Sequence, residues 1–189
     1  MTKLWLVRHG QTDWNLEGRY QGHFDVPLNA VGLQQAARLA EKLAGECFNA
    51  VYCSDLLRAR VTAETVAERL SMPVILLPGL REINQGDWQG RYLAEVRAEF
   101  GEPDPNAGEE MLHERAPDGE SVAEVAARLK LAADGIAAAH PGGKVLVVTH
   151  GLALATLVCQ ARNIPLQQVY QQIPDNTVVA VINWPPEEC

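Results

Sequence analysis

Two histidines in this chain directly follow short, mostly apolar runs. His9 comes after the run at 4–7 in an Arg-His-Gly triplet, and His150 comes after the run at 144–148 in a Thr-His-Gly triplet. Runs of this length are typical of strands buried on both faces of a parallel sheet. An uncharged imidazole nitrogen can attack phosphorus or accept a proton, so both positions are candidates for nucleophilic or acid–base chemistry.

Arg8 and Arg58 are the cations that fit chemistry on a phosphate ester. A guanidinium group presents paired donors that match two phosphate oxygens, and Arg58 falls in the first turn of a predicted helix, where anions are favoured. Both cations disfavour protonation of His9 and so lower its pKa, which keeps the ring nucleophilic. We predict that His150 donates to the phosphoryl group, is cationic when the dianion is bound, and titrates as a coupled pair with His9.

The elements that must position these residues alternate between strands and helices. We predict strands at 4–7, 50–53, 74–77, 144–148 and 177–184, and helices at 30–44, 55–70, 91–100, 121–139 and 152–162. This alternation predicts a three-layer α/β/α domain with a mostly parallel sheet. Because such sheets bind ligands at the carboxyl ends of their strands, His9 and His150 reach one crevice if their strands are neighbours.

Three of the predicted helices begin at residues that are suited to N-capping. Asn29 precedes the first, Ser54 or Asp55 precedes the second, and Ser121 forms a capping box with Glu124. The first cap also ends a long loop at 10–29. Loops of this length in compact domains are usually functional.

The chain has the length and composition of one globular domain. It has 189 residues, of which 47% are hydrophobic and 21% charged, so we predict a single domain over 1–189. The segment at about 90–120 differs in composition and is predicted to be an insertion over the candidate site. Between 101 and 120 it carries seven acidic residues and one arginine, Arg115, a pattern that fits either a lid or a solvated face.

Charge and side-chain content disfavour several classes of function. A net charge of −8 disfavours nucleic acid as a partner. No apolar run approaches the roughly 20 residues of a membrane span, and the N-terminus does not resemble a leader peptide. The four cysteines form no C-x-x-C pair, so a reducing cytoplasm is expected. We expect His23, His113 and His140 at the surface, and since His9 and His150 have no carboxylate cluster, we predict neither a metal site nor a cofactor.

Four separated blocks resemble the signature of one family. They are the stretch from Leu6 to Ala36, Ser54-Asp55-Leu56-Leu57-Arg58-Ala59, Leu80-Arg81-Glu82-Ile83 with Gly86 and Trp88, and Thr149-His150-Gly151. On these residues the chain resembles the histidine phosphatase superfamily, in the branch of the cofactor-dependent phosphoglycerate mutases. The resemblance implies a mixed sheet with one antiparallel edge strand and an active site at the carboxyl ends of the strands.

The resemblance also implies roles for individual residues. It implies a phosphohistidine intermediate on His9 and a phosphate pocket made by Arg8, Arg58 and His150. The further substrate-binding positions that it implies are Asn15, Gln21, Gly22 and Gly151. It also implies that Glu82 protonates the leaving oxygen and later activates water. An alkoxide leaves poorly without an acid, and a bound dianion favours the protonated carboxyl until it is needed.

Three functions are compatible with these residues. The first is a metal-independent phosphatase for a small phosphorylated metabolite, the second is a cofactor-dependent phosphoglycerate mutase, and the third is a catalytically silent phosphate-binding module. The third function requires the loss of a reactive residue, whereas His9, Glu82 and the residues of the predicted phosphate pocket are all present in this sequence. Mutases of the family carry a longer insertion with paired arginines, so the short acidic insertion favours the phosphatase.

Within the phosphatases, the short insertion and Gly86-Asp87-Trp88 are similar to α-ribazole phosphatases and to broad-specificity enzymes of the same branch. The sequence does not decide between these substrates. The expected partner is a small phosphorylated metabolite, with no nucleic acid and no membrane, and a homodimer is left open.

Overall fold

The computed structural model describes residues 1–101 and 108–186. Its strands are β1 (Thr2–Arg8), β2 (Ala50–Cys53), β3 (Val74–Leu76), β4 (Lys144–Thr149) and β5 (Val179–Trp184). Its α-helices are α1 (Asp13–Glu17), α2 (Ala30–Leu43), α3 (Leu57–Leu70), α4 (Leu93–Phe100), α5 (Val122–Ala139) and α6 (Gly151–Ala161). None of the helices in these two ranges is both long and apolar enough to cross a bilayer.

The five strands form one sheet in the order β3-β2-β4-β1-β5. β1 runs parallel to β4, with Arg8 opposite Thr149 in the register. β5 pairs antiparallel with β1 and forms one edge of the sheet. The predicted mixed sheet with one antiparallel edge strand is therefore confirmed, and the two strands that lead into His9 and His150 are neighbours.

Side-chain alternation along β1 and β4 divides the core between the two faces of the sheet. Leu6 and Val147 pack with α5 and α6 in one hydrophobic cluster, and Val7 and Val148 pack with α2 and α3 in the other. Successive strand residues point to opposite faces, so two buried faces require a continuous apolar run. The three-layer prediction is confirmed. Truncating a core residue such as Leu6 to Ala is expected to destabilise the fold by about 2–5 kcal/mol.

The long loop after β1 contains α1, which the sequence analysis did not predict. Thr12 and Asn15 form a capping box at its start. Gly10 allows this loop to approach the first turn of α2, because a Cβ at Gly10 would lie 2.6 Å from the Gly32 carbonyl oxygen. The backbone after β1 is thereby held against α2, directly beside His9.

The predicted insertion packs against this loop in the part of it that the structure describes. The Arg19 guanidinium lies 3.8 Å from the centroid of the Tyr92 ring, and Met111 and Ala116 are buried. The acidic residues Glu109, Glu110, Glu114 and Asp118 are exposed, whereas Glu102 and Asp104 lie outside the described residues. The segment thus has an apolar inner side and a solvated acidic outer side.

Candidate active site

His9 follows the last residue of β1 and is only 3% exposed. Its backbone N–H donates to the Thr149 carbonyl of the neighbouring strand at 3.0 Å, which fixes the residue in the sheet. Its Nδ1 lies 2.6 Å from the Gly10 carbonyl oxygen. A carbonyl only accepts, so this contact requires a proton on Nδ1 and leaves a lone pair on Nε2.

Arg58 lies in the first turn of α3 and is 1% exposed. Its Nε donates to Nε2 of His9 at 3.3 Å, and its Nη1 and Nη2 donate to the carbonyls of Phe24 and Gly22, each at 2.8 Å. Burial lowers the pKa of Arg58 to about 10, so the group remains cationic near pH 7. A guanidinium has five N–H groups; after these contacts it retains donors for an anion.

His150 is fully buried between β4 and α6, and its ring centroid lies 5.2 Å from that of His9. Its Nε2 lies 2.8 Å from the Ser54 hydroxyl oxygen, which also accepts from the Leu56 N–H at 3.3 Å. We assign the hydroxyl as the donor to His150 Nε2, because this tautomer gives the buried hydroxyl proton an acceptor, and it puts the imidazole proton on Nδ1. That Nδ1 is buried and has no hydrogen-bond partner within the described part of the chain.

The pKa values of both histidines are lowered well below the ordinary value. Burial is the largest cause for each, and the charge of Arg58 is the second. From the sequence, the lowered pKa of His9 was predicted from the charges of Arg8 and Arg58 alone. Its direction was right, but desolvation contributes more because the imidazole is withdrawn from water.

Arg8, the last residue of β1, lies across the start of α6. Its Nη1 donates to the Pro174 carbonyl at 2.7 Å, while its Nε is buried with no partner in the described ranges. A Cβ at Gly151 would lie 3.4 Å from this Nε, an ordinary contact distance, and a tighter 3.1 Å from Ile173 Cγ2. Burial is the main cause that lowers the pKa of Arg8, and the carboxylates of Glu82 and Asp175 oppose it.

Glu82 lies at the N-terminus of α6. Its Oε2 accepts from the Leu152 N–H and its Oε1 from the Ala153 N–H, both at 3.1 Å. Its Oε1 also accepts from the Ile83 N–H at 3.0 Å. The first-turn N–H groups of a helix lack intrahelical partners, so the carboxylate satisfies them directly after His150. A carboxylate oxygen can take part in two hydrogen bonds, so Oε2 keeps one position after its contact with the Leu152 N–H.

The predicted amide donors differ in their placement. Gln21 is buried next to Gly22, whose carbonyl accepts from Arg58, and its Oε1 has no partner among residues 1–101 and 108–186. Asn15 belongs to another network, because its Oδ1 accepts from the N–H and the hydroxyl of Thr12. Only its Nδ2 group would be able to donate to a phosphoryl oxygen.

The structure corrects the predicted cap of α3. Neither Ser54 nor Asp55 caps this helix; instead, Asp25 accepts from the Leu57 N–H at 2.7 Å. Ser54 is engaged by His150, and Asp55 accepts from Arg81 at 2.7 and 2.5 Å. A cap supplied by a distant loop leaves no local sequence signal, whereas the prediction relied on local preferences alone.

The structure also places two residues near the site that the sequence analysis missed. His23 was expected at the surface, but its side chain is only 27% exposed, and its Nε2 lies 2.8 Å from the Glu82 carbonyl oxygen. Arg128 donates to the same carbonyl at 3.2 Å. In the described ranges, no group of three or more histidine, cysteine, aspartate or glutamate side chains is arranged to hold a metal ion.

The sequence model of the histidine phosphatase superfamily (branch 1) matches residues 4–189. The chain belongs to this superfamily. It is a histidine phosphatase, an enzyme that hydrolyses phosphate esters. The resemblance inferred from the four sequence blocks is thus confirmed.

Its relatives carry names of more than one activity. A probable phosphoglycerate mutase of Yersinia enterocolitica is 34% identical over 169 residues, which cover 87% of this chain and 77% of that protein. Phosphoserine phosphatase 1 of Hydrogenobacter thermophilus is 33% identical, with coverage of 97% and 87%. The solved α-ribazole phosphatase of Shigella flexneri has a TM-score of 0.82 and 30% identity, with coverage of 96% and 90%.

Proposed function

We propose that this chain is a metal-independent phosphomonoesterase that hydrolyses a small phosphorylated metabolite through a phosphohistidine on His9. The observation that carries the proposal is a pair of buried donors, Arg8 Nε and His150 Nδ1, which have no acceptor in the described ranges. A buried donor without an acceptor costs about 1–3 kcal/mol. Phosphoryl oxygens would supply both acceptors.

The first half of the reaction forms the phosphoenzyme. Arg8, Arg58 and His150 Nδ1 bind the phosphoryl oxygens. Arg58 Nε transfers its hydrogen bond from His9 Nε2 to one of these oxygens, and the freed Nε2 lone pair attacks phosphorus. The P–O bond to the leaving group breaks, its electron pair stays on the leaving oxygen, and Glu82 protonates that oxygen. Binding the dianion favours the cationic form of His150.

The second half releases phosphate. The Glu82 carboxylate accepts a proton from water, whose oxygen attacks phosphorus as the P–N bond to His9 breaks. The bond's electron pair returns to His9 Nε2, and inorganic phosphate leaves. Each group is then in its starting protonation state, and both halves use side chains of this chain alone.

Metal independence rests on the kind of groups that surround the candidate pocket. Guanidinium and imidazole donors neutralise a phosphoryl dianion without a bridging cation. Activity on a panel of phosphomonoesters should therefore be retained in excess EDTA. Full loss in EDTA with recovery on added magnesium would contradict this mechanism.

The phosphoglycerate mutase alternative remains because relatives of 34% identity carry that name. The phosphatase is favoured because Arg115 is the one arginine between residues 101 and 120, and it pairs with Glu124 at 3.0 Å. A mutase must hold a carboxylate-bearing phosphoglycerate, for which paired arginines are suited. The third function, a silent binding module, would require loss of a reactive residue, and His9, Arg58 and Glu82 are present.

The experiment measures phosphatase and mutase activity in the same reaction mixture. With 2,3-bisphosphoglycerate supplied, release of inorganic phosphate should exceed interconversion of 3- and 2-phosphoglycerate. Faster interconversion would make the mutase the better assignment. The panel includes phosphoserine and α-ribazole phosphate, which the names of two relatives suggest as substrates.

A further inference from the structure

Arg128 holds the backbone of the irregular segment that leads to Glu82. It projects from α5, and its Nη1 donates to the carbonyls of Gly79 and Arg81 at 3.0 and 2.9 Å. Its Nη2 donates to the carbonyl of Glu82 at 3.2 Å. One guanidinium thus binds three carbonyls within four residues. It fixes a segment that has no place in the sheet.

Glu120 orients this guanidinium. Its Oε1 accepts from Arg128 Nε at 2.9 Å, and its Oε2 accepts from Arg128 Nη2 at 2.8 Å. Glu120 is itself tied to the residue two positions after Glu82, because its N–H donates to the Asn84 carbonyl at 2.8 Å and its Oε2 accepts from the Asn84 N–H at 2.9 Å. The two-point contact gives Arg128 one orientation.

The backbone at Glu82 also contacts the loop at 10–29, beside the candidate phosphate pocket. His23 Nε2 contacts the Glu82 carbonyl at 2.8 Å, and the preceding residue, Gly22, accepts from Arg58. The Glu82 carbonyl therefore has donors from the loop and from α5. Within the described ranges Arg128 makes no hydrogen bond to His9 or Arg58. Its charge is the smallest of the causes that lower the pKa of His150, whereas its direct contacts near the site are to the backbone that carries Glu82.

We propose that Arg128, oriented by Glu120, is a positioning residue that sets the reach of the Glu82 carboxyl towards the leaving oxygen. The proposal rests on the proposed function, in which Glu82 is the general acid. A carboxyl that acts on a leaving group must be held closely, since a misplacement of about 1 Å can cost roughly 10²-fold in rate. Loss of the contacts that Arg128 makes with this backbone should impair proton delivery and leave phosphate binding largely intact.

The experiment compares Arg128→Gln with Arg69→Gln. Arg69 forms a surface ion pair with Glu41 at 3.1 Å and serves as the matched control. Release of the alcohol in the first turnover is measured with an alkyl phosphate and with nitrophenyl phosphate. We expect Arg128→Gln to slow the alkyl ester about 10- to 100-fold and the nitrophenyl ester less than about threefold, because nitrophenoxide needs no proton. Arg69→Gln should slow neither.

A double mutant separates positioning from general loosening. If Arg128 acts through Glu82, adding Arg128→Gln to Glu82→Gln should slow the alkyl ester by less than about twofold more. Equal losses for both esters, a full additional loss in the Glu82→Gln background, or no loss at all would each overturn the inference. If Arg128→Gln does not fold, Glu120→Gln is measured in its place and must show the same selectivity. A wild-type protein that hydrolyses no phosphomonoester of the panel refutes the proposed function, whereas an active wild type with an unselective loss refutes this inference alone.

Discussion

The two sides of the candidate site are held by different kinds of structure. On the phosphate side, Arg8, His9 and His150 stand at the ends of adjacent parallel strands, and backbone pairing sets their positions. On the leaving-group side, Glu82 stands on an irregular segment and is held by N–H groups of α6 and by the side chain of Arg128. Strand register positions the first side, and individual side-chain contacts position the second.

This difference predicts how each side responds to substitution. A residue at a strand end can be replaced without moving the strand, because the backbone ladder and the core hold it. Replacing a side chain such as Arg128 on the leaving-group side also frees the backbone segment that carries Glu82, so the Glu82 carboxyl is displaced. Substitutions on the phosphate side should therefore affect all esters alike, and those on the leaving-group side should affect esters with basic leaving groups most.

His9→Ala should have the largest effect, removing all turnover of every ester without unfolding the domain. After brief incubation with radiolabelled substrate and an alkaline quench, label should remain on the native chain and be absent from the variant. Phosphohistidine tolerates base and is lost in acid. Alkali-stable label on the His9→Ala chain would refute His9 as the nucleophile.

Glu82→Gln should slow phosphoryl transfer from an alkyl phosphate by about 10² to 10⁴, the usual contribution of general acid catalysis. The loss with nitrophenyl phosphate should be much smaller, because its leaving group is weakly basic. The first-turnover burst is the proper measurement, since in the proposed mechanism the same carboxylate also activates water in the later step. Equal losses in burst rate for both esters would mean that Glu82 holds the phosphate or the loop.

Ser54→Ala should lower kcat/KM about tenfold, and equally for both esters. Its hydroxyl holds His150 Nε2 at 2.8 Å, and the loss leaves a buried ring nitrogen unpaired at a cost of about 1–3 kcal/mol. Because His150 faces phosphate in the proposed mechanism, the leaving group should not matter. A loss confined to alkyl esters would place His150 on the leaving-group side.

The smallest effect concerns stability and pH. The folded-state pKa values of His9 and His150 lie well below 6.5, so the unfolded chain binds protons first as pH falls. Stability is then fully present above about pH 6.5 and is lost below it, by up to about 1.4 kcal/mol per pH unit for each histidine. Urea unfolding at several pH values measures this slope. His9→Ala should reduce it, and an unchanged slope would contradict the assignment.

Local sequence patterns predicted most elements to within a few residues. Ser121 and Glu124 form the predicted capping box, and the apolar runs before His9 and His150 became central strands. The short helix α1 was missed, as was the cap of α3 by Asp25, which accepts from an N–H 32 positions away in the chain. Local preference carries no information about a partner that arrives from a distant loop.

The sequence by itself indicated that His9 and His150 would end buried strands, because short apolar runs bounded by polar residues and glycine are typical of strands covered on both faces. Only the tertiary structure decided that β1 and β4 are adjacent and bring the two rings within 5.2 Å. It also decided that Ser54 hydrogen-bonds to His150 and that Arg128 hydrogen-bonds to the backbone of Glu82. A hydrogen bond depends on where two atoms lie in space, and residue types constrain that position only after the chain has folded around them.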